Sequence, residues 1–242
     1  MNKIQQMIKD GVFDGESLRK AEESIYHVAI DGPVASGKGT VAKGLSNRLR
    51  IPCLDTGAMY RAFAVYMMDK GYEDSEIDKA LEEFDLDTRV AEKTYVSVNG
   101  LDVTHRIRDE EISMKSSYLS SYPQVRDKMV ALQREIAKEN SFILEGRDIA
   151  SVVLPDAKYK FYLTAHVKTR AMRRWAENQV KGIDITLKEM IKQIKERDRN
   201  DMNKPVGALK CVEGAIRIDN TKLNREQTVD KIMEIIRNQS AE

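Results

Sequence analysis

Gly32 to Lys38 satisfies the spacing GxxxxGK, and it stands between the apolar run 25–30 and an amphipathic run that starts at Gly39. No other feature of the chain constrains its fold as tightly. Glycines at both ends let backbone N–H groups wrap around a phosphate, and a following helix turns the positive end of its dipole toward the anion. The run before the loop is short, apolar and closed by Asp31-Gly32-Pro33, which reads as a buried strand running into a loop. After it, Val41, Leu45 and Leu49 recur at four-residue spacing with Lys43, Asn47 and Arg48 off the stripe, which predicts a helix. Residues 51–54 then read as a second strand closed by Asp55-Thr56-Gly57, and 58–70 as a second helix. Strand, helix and strand within about 30 residues describe a βαβ unit and hence a parallel sheet.

The alternation breaks over residues 73–140. Thr94 to Val98, Asn99-Gly100 and Leu101 to Thr104 form a hairpin signal, because Asn-Gly tolerates the positive φ angles of a type I′ turn. Pairing Val98 with Leu101 and Val96 with Val103 gives one apolar face. With helical segments at about 74–84 and 108–140, this reads as an inserted subdomain. Strand character returns at 141–145 and 158–163, a basic helix covers 169–182, and Thr186 with Glu189 opens another through a capping box. Residues 215–218 form a last strand. Asn224 and Gln227 cap a terminal helix striped by Val229, Ile232, Met233 and Ile236.

Composition narrows the partners. Lys+Arg 40 against Asp+Glu 39 leaves a net charge of +1, so no global field recruits nucleic acid or an anionic membrane, and local basic clusters must hold any anion. No run approaches the ~20 apolar residues of a membrane span. Residues 1–24 lack a signal peptide's apolar core and carry acidic residues foreign to a transit peptide, so they read as an appendage before the first strand, and the cytoplasm is the expected compartment. Cys53 and Cys211 have no metal-ligand spacing and are expected to pack. His27, His105 and His166 are scattered, and none is assigned a catalytic role.

One detail of the loop departs from the common GTPase and ATPase pattern. Lys38 is followed by Gly39 and then Thr40, so the hydroxyl comes one residue late, and "GKGT" resembles the nucleoside monophosphate kinases. Further along, "LDTGAMYRA", "YPQVRDKMVALQR", "EGRDIASVVLPDA" and "IKERDRND" resemble, in that order, the bacterial cytidylate kinases, over about residues 25–237. The resemblance implies a three-layer α/β P-loop nucleoside triphosphate hydrolase fold with an inserted antiparallel α+β monophosphate-binding subdomain and a short helical lid. Its segments would be core at 25–72, insert at 73–140, core at 141–167, lid and flanking helices at 168–204, and core again at 205–242. The implied activity is transfer of a phosphoryl group from ATP, with Mg²⁺, to CMP and dCMP, by a protein expected to act as a monomer.

The chemistry constrains the site independently of the name. An acceptor that is itself a phosphate dianion needs no general base, so the site should consist of cations, hydrogen-bond donors and positioning groups. Arg61 lies one turn beyond Gly57 on its helix, and Arg147 follows a strand's carboxyl end, where α/β sheets place ligands. The resemblance puts both on the acceptor phosphate, with Thr56 and Tyr60 beside it. It implies Ser117, Arg126 and Asp148 on the cytosine edge, and Arg197 with Asp201 on the ribose hydroxyls. Lys204 stands where the family usually has an arginine that helps hold the base; a lysine keeps the charge but loses the planar fork. The donor phosphates fall to Gly32, Pro33, Val34, Ala35, Ser36, Gly37, Lys38, Gly39 and Thr40, with Lys38 reaching the β/γ-phosphates. Thr40 is the first choice at Mg²⁺, followed by Asp31 or Glu145. Of the basic helix, Arg170 and Arg174 are expected at the transferring phosphoryl, and Trp175 is expected to pack. Two other functions fit the same residues: a kinase preferring another monophosphate such as UMP, which Lys204 motivates, and a non-catalytic nucleotide-binding regulator docking through residues 1–24.

Overall fold

A computed structural model describes residues 25–90 and 94–240; the appendage expected at 1–24 lies outside them. The core is a five-stranded, wholly parallel sheet of β1 (His27–Asp31), β2 (Cys53–Asp55), β6 (Phe142–Gly146), β7 (Tyr159–Thr164) and β8 (Ile216–Asp219), in the spatial order β2-β6-β1-β7-β8. The strands β1, β6 and β7 are apolar and buried on both faces, successive side chains going to opposite layers as the pleat requires, while the edge strand β8 exposes Arg217 and Asp219. Val28, Ile30, Ile143, Phe161 and Leu163 pack on one side with Val41, Leu45, Val229, Ile232 and Met233. Ala29, Leu54, Phe142 and Leu144 pack on the other with Met59, Phe63, Met67 and Met129. The first layer is supplied by α1 (Lys38–Leu49) and the terminal helix, α8 (Arg225–Ser240); the second by α2 (Thr56–Lys70) and, further on, α5 (Pro123–Ala137). Among the described residues no helix is long and apolar enough to cross a membrane.

Between α2 and β6 the chain leaves the parallel sheet. A short helix α3 (Ile77–Glu83) precedes a three-stranded antiparallel sheet, β3 (Leu86–Val90), β4 (Thr94–Val98) and β5 (Leu101–Asp102), followed by α4 (Glu110–Leu119) and α5. Asn99 and Gly100 have φ of +49° and +81°, as a type I′ turn demands. The turn is also tied sideways, because the Asn99 amide accepts from Asp85 N and donates to the Glu83 carbonyl. Val98 pairs with Leu101, and Val103 N donates to Val96 O at 2.9 Å, so the hairpin register follows the sequence pattern. The apolar face is narrower than the pattern suggests: Val96, Val98 and Val103 are buried, but Leu101 is 72% exposed at the free edge beside the turn. Strand β3 has no counterpart in the sequence reading. Its Leu-Asp-Thr-Arg-Val run carries two charged residues and joins the sheet by pairing with β4.

The lid side consists of α6 (Val167–Val180) and α7 (Leu187–Met202), which pack through Ala171, Met190 and Ile194 with Trp175 against them. The Trp175 indole N–H donates to the Ile185 carbonyl, and Thr186 and Glu189 form the expected capping box on α7. Cys53 is half-buried, while Cys211 is exposed on the approach to β8 and is not packed.

One buried acid ties the end of β1 to the segment that carries the next site residues. Asp31 accepts the N–H groups of Ile149 and Ala150, one on each carboxylate oxygen and both at 2.8 Å. Those donors open a π-helical turn (Ile149–Val153), directly after Arg147 and Asp148. Burial pushes the Asp31 carboxyl up to about 6 in spite of the two donors. Asp31→Ala would strand two buried N–H groups at about 1–3 kcal/mol each. Urea unfolding of that variant should show a loss of about 2–5 kcal/mol; a loss under about 1 kcal/mol would mean that the turn holds itself.

Candidate active site

The cavity lies at the carboxyl ends of β1, β2 and β6, where open parallel sheets place ligands. It measures about 330 Å³. One wall is the phosphate loop. Gly32 has no room for a side chain, since a Cβ there would land on the Leu163 carbonyl. Gly37 caps α1 with φ +91°, and no side chain caps that helix, so its first N–H groups are not taken up by a protein side chain. Val34, Ala35, Gly37, Lys38, Gly39 and Thr40 line the cavity, while Gly32, Pro33 and Ser36 sit behind that surface.

Lys38 is buried, and its Nζ donates to the Pro33 carbonyl at 3.0 Å. Burial, aided by the nearby Arg147, pushes its ammonium down to about 7, against the pull of Glu145, Asp201 and Asp31. Glu145 responds oppositely: burial and then Asp55 push its carboxyl up to about 7. The site therefore holds a lysine short of negative charge beside a carboxylate short of positive charge. A polyphosphate with its cation supplies both.

The opposite wall carries the arginines, and Arg61, Arg126 and Arg147 are each held by a carboxylate. Arg61 Nη2 lies 2.7 Å from Asp55, whose other oxygen caps α2 by accepting from Ala58 N. Arg147 Nε donates to Asp201 at 2.7 Å, and Lys204 Nζ stands 3.3 Å from the same carboxylate. Burial opposes the Asp201 charge, but Arg147 and Lys204 outweigh it and hold the carboxyl down at about 2. Arg126 donates to Asp148, both of them buried, and Arg126 Nε has no hydrogen-bond partner. Burial outweighs Arg126 at Asp148 and raises its carboxyl above the ordinary range. Such a pair can meet a ligand edge that presents both donors and acceptors.

Every residue expected around the acceptor lines this cavity: Thr56, Tyr60, Arg61, Ser117, Arg126, Arg147, Asp148, Arg197, Asp201 and Lys204. Of the residues expected at the transferring group, Lys38, Arg61, Arg147 and Arg174 line it and Arg170 does not. Arg170 is buried, paired twice with Asp198 at 3.1 and 2.6 Å, and also donates to the carbonyls of Ala165 and Val34. Glu145 lines the cavity, whereas Asp31 has both oxygens occupied by the π-turn. The sequence reading assigned only Ser117, and Ser113, Ser116 and Ser120 line the cavity with it. Their signal was the i, i+3, i+4, i+7 spacing of one helical face. Ser120 also accepts from Lys204 Nζ at 2.8 Å.

Residues 28–238 match the family model described as cytidylate kinase. A cytidylate kinase of Caldicellulosiruptor saccharolyticus is 39% identical over 213 residues, covering 86% of this chain and 94% of that protein. One from Geobacillus sp. (strain WCH70) is 44% identical over 213 residues, covering 86% of this chain and 95% of its own length. Among solved structures, an uncharacterized protein from Eubacterium ventriosum superposes with a TM-score of 0.50 at 17% identity, covering 89% of this chain and 99% of that one, which is a likeness of fold.

The Arg147–Asp201 pair makes acid stability a measurable quantity. The Asp201 carboxyl is depressed to about 2. An unfolded aspartate titrates near 3.9, so the stabilisation, about 2–3 kcal/mol, is fully present above about pH 4 and is lost as pH falls through 2. In denaturant titrations the gap between the wild-type protein and Asp201→Asn should be constant from pH 7 to about 5 and close on further acidification. A gap independent of pH would rule out the linkage.

Proposed function

The chain belongs to the cytidylate kinase family, and we propose that it transfers the γ-phosphoryl group of ATP to the phosphate of CMP, and of dCMP, giving CDP or dCDP and ADP. The observation that carries this reading is one cavity with a phosphate loop on one wall and, on the other, paired arginines beside a buried Arg126–Asp148 couple. Residues 32–40 would hold the donor phosphates through backbone N–H groups, with Lys38 at the β/γ-phosphates, where an anion relieves the burial of its charge.

Mg²⁺ fits the donor side. Thr40 is exposed at the start of α1, and the Glu145 carboxylate, pushed up by burial, lies 3.1 Å from where a Gly39 Cβ would stand. Among the described residues no group of three or more acids, histidines or cysteines could cage a metal. A divalent ion there would share phosphate oxygens and waters with Thr40 and Glu145, as Mg²⁺ commonly does. When bound it neutralises charge on the β- and γ-phosphates.

On the acceptor side, Arg61 and Arg147 would exchange their carboxylate partners for the monophosphate dianion and bring one of its oxygens in line with the γ-phosphorus. That oxygen forms the new P–O bond as the bond to the β–γ bridging oxygen breaks, and no proton needs to be removed beforehand. Arg174 would meet the charge that develops on the transferring group. Asp148 would accept from the cytosine amine while Arg126, Ser117 and Lys204 donate to its acceptors, and Arg197 with Asp201 would hold the ribose, Thr56 and Tyr60 lying beside them. A mismatched base leaves these buried groups unpaired, at a penalty of roughly 10⁴ or more in discrimination.

Coupled ADP-release assays with CMP, dCMP, UMP, AMP and GMP test the reading. CMP should be the fastest substrate, with dCMP also turned over. Turnover of UMP or AMP above CMP would overturn the base assignment, and no turnover with any monophosphate would overturn the kinase. Lys38→Ala should lower kcat by roughly 10²–10³. Arg126→Ala should raise KM for CMP about 10–100-fold while KM for ATP stays within about twofold.

A further inference from the structure

The phosphate loop has an outer side as well as an inner one, and the outer side is tightly held. The Ser36 carbonyl accepts from Asn220 Nδ2 at 2.9 Å and from Arg173 Nη1 at 3.4 Å. Arg173 in turn grips Asn220, with Nη1 3.1 Å from Oδ1 and Nη2 2.9 Å from the backbone carbonyl. Asn220, just past β8, is only 3% exposed. Gly37 lines the cavity and Ser36 does not. A Cβ on Gly37 would lie 3.8 Å from Asn220 Nδ2 and 4.0 Å from Arg173 Nη1, so both groups sit directly against this peptide.

A trans peptide is planar, and its C=O and N–H point in opposite directions. Holding the Ser36 carbonyl outward therefore turns the Gly37 N–H toward the cavity. We propose that Asn220 and Arg173 are positioning residues for the donor phosphates: they fix the orientation of the Ser36–Gly37 peptide so that its N–H is aimed before ATP arrives. The proposal rests on the reading of residues 32–40 as the donor-phosphate loop. The chemistry of Asn220 suits the task, because one end of its amide donates to a carbonyl while the other accepts from a guanidinium. An aspartate has no donor for the carbonyl, and alanine has neither group. Arg170 adds to the hold two residues earlier, since its Nη1 donates to the Val34 carbonyl at 2.9 Å.

The experiment compares Asn220→Ala, Arg173→Met and Arg173→Lys with the wild-type protein. ATP affinity is measured by calorimetry without acceptor, and KM is measured separately for ATP and CMP. Asn220→Ala and Arg173→Met should each weaken ATP binding about tenfold, with KM for CMP within about twofold. Arg173→Lys, which keeps one donor for the carbonyl, should fall between. The double variant Asn220→Ala/Arg173→Met should be little worse than either single one, because both groups act on one peptide. ATP affinity within twofold of wild type in folded variants overturns the proposal, as does a rise in KM for CMP equal to that for ATP. If Asn220→Ala does not fold, Arg173→Met, on the half-buried face of α6, decides alone. Wild-type protein that binds ATP but does not turn over CMP would sink the kinase reading, and the ATP titrations would still decide this one.

Discussion

The site must hold enough positive charge to bind two phosphorylated molecules and yet fold before either is present. An uncompensated buried charge costs several kcal/mol, and the chain meets that constraint by setting carboxylates against most cations of the cavity. Arg61 has Asp55, Arg147 and Lys204 share Asp201, Arg126 has Asp148, and Arg174 lies 3.3 Å from Glu177. The pairs differ in their balance against burial, since the cations more than offset it at Asp55 and Asp201 and fall short of it at Asp148. They make an arginine cluster compatible with a stable empty protein. They also set the terms of binding, because a phosphate need only replace one anion with another.

Lys38 is where this compensation is incomplete. It lies amid Glu145, Asp201 and Asp31, yet burial still brings its ammonium down to about 7, and its Nζ bonds to a neutral carbonyl, that of Pro33. Glu145, on the same wall, is pushed the other way. The empty cavity is thus electrostatically strained at Lys38 and Glu145, and again at the buried Arg126–Asp148 couple. An anion bound at the loop with its cation would relieve the strain at Lys38 and Glu145, an arrangement found where charge is redistributed during reaction.

The sequence made the frame legible because each core element carries a local signal. The apolar strand before Gly32, the four-residue stripe of α1, the Asn99-Gly100 turn and the Thr186–Glu189 box all depend on neighbours in sequence, and all appear where the pattern puts them. Strand β3 went unread although Leu86, Thr88 and Val90 alternate with Asp87 and Arg89, because five residues with two charges give a weak signal until pairing with β4 is seen. The same distinction runs through the site. The arginines that reach the cavity could be read from motifs, but their carboxylate partners lie at separations of up to 54 residues, as in Arg147 with Asp201. Arg170 and Arg174 are equivalent in sequence, one turn apart on a basic helix. Asp198 on α7 and the carbonyls of Ala165 and Val34 hold Arg170 behind the loop, while Arg174 lines the cavity.

That placement has a mechanical consequence. Residues 197 and 201 share one face of α7 and residue 198 lies about 100° round from residue 197, so the helix faces both the cavity and the support of the phosphate loop. Arg197 and Asp201 line the cavity, whereas Asp198 holds Arg170, whose guanidinium is bonded to the Val34 carbonyl of the phosphate loop. A helix transmits displacement as a rigid unit over this length. Any movement of α7 toward or away from an acceptor must therefore carry Arg170 with it, and pull on the loop, or break a buried bidentate pair. Breaking such a pair by exposing one partner costs about 3–5 kcal/mol, more than a typical new hydrogen bond on closure returns. The less costly course keeps α6, α7 and the loop together as one body.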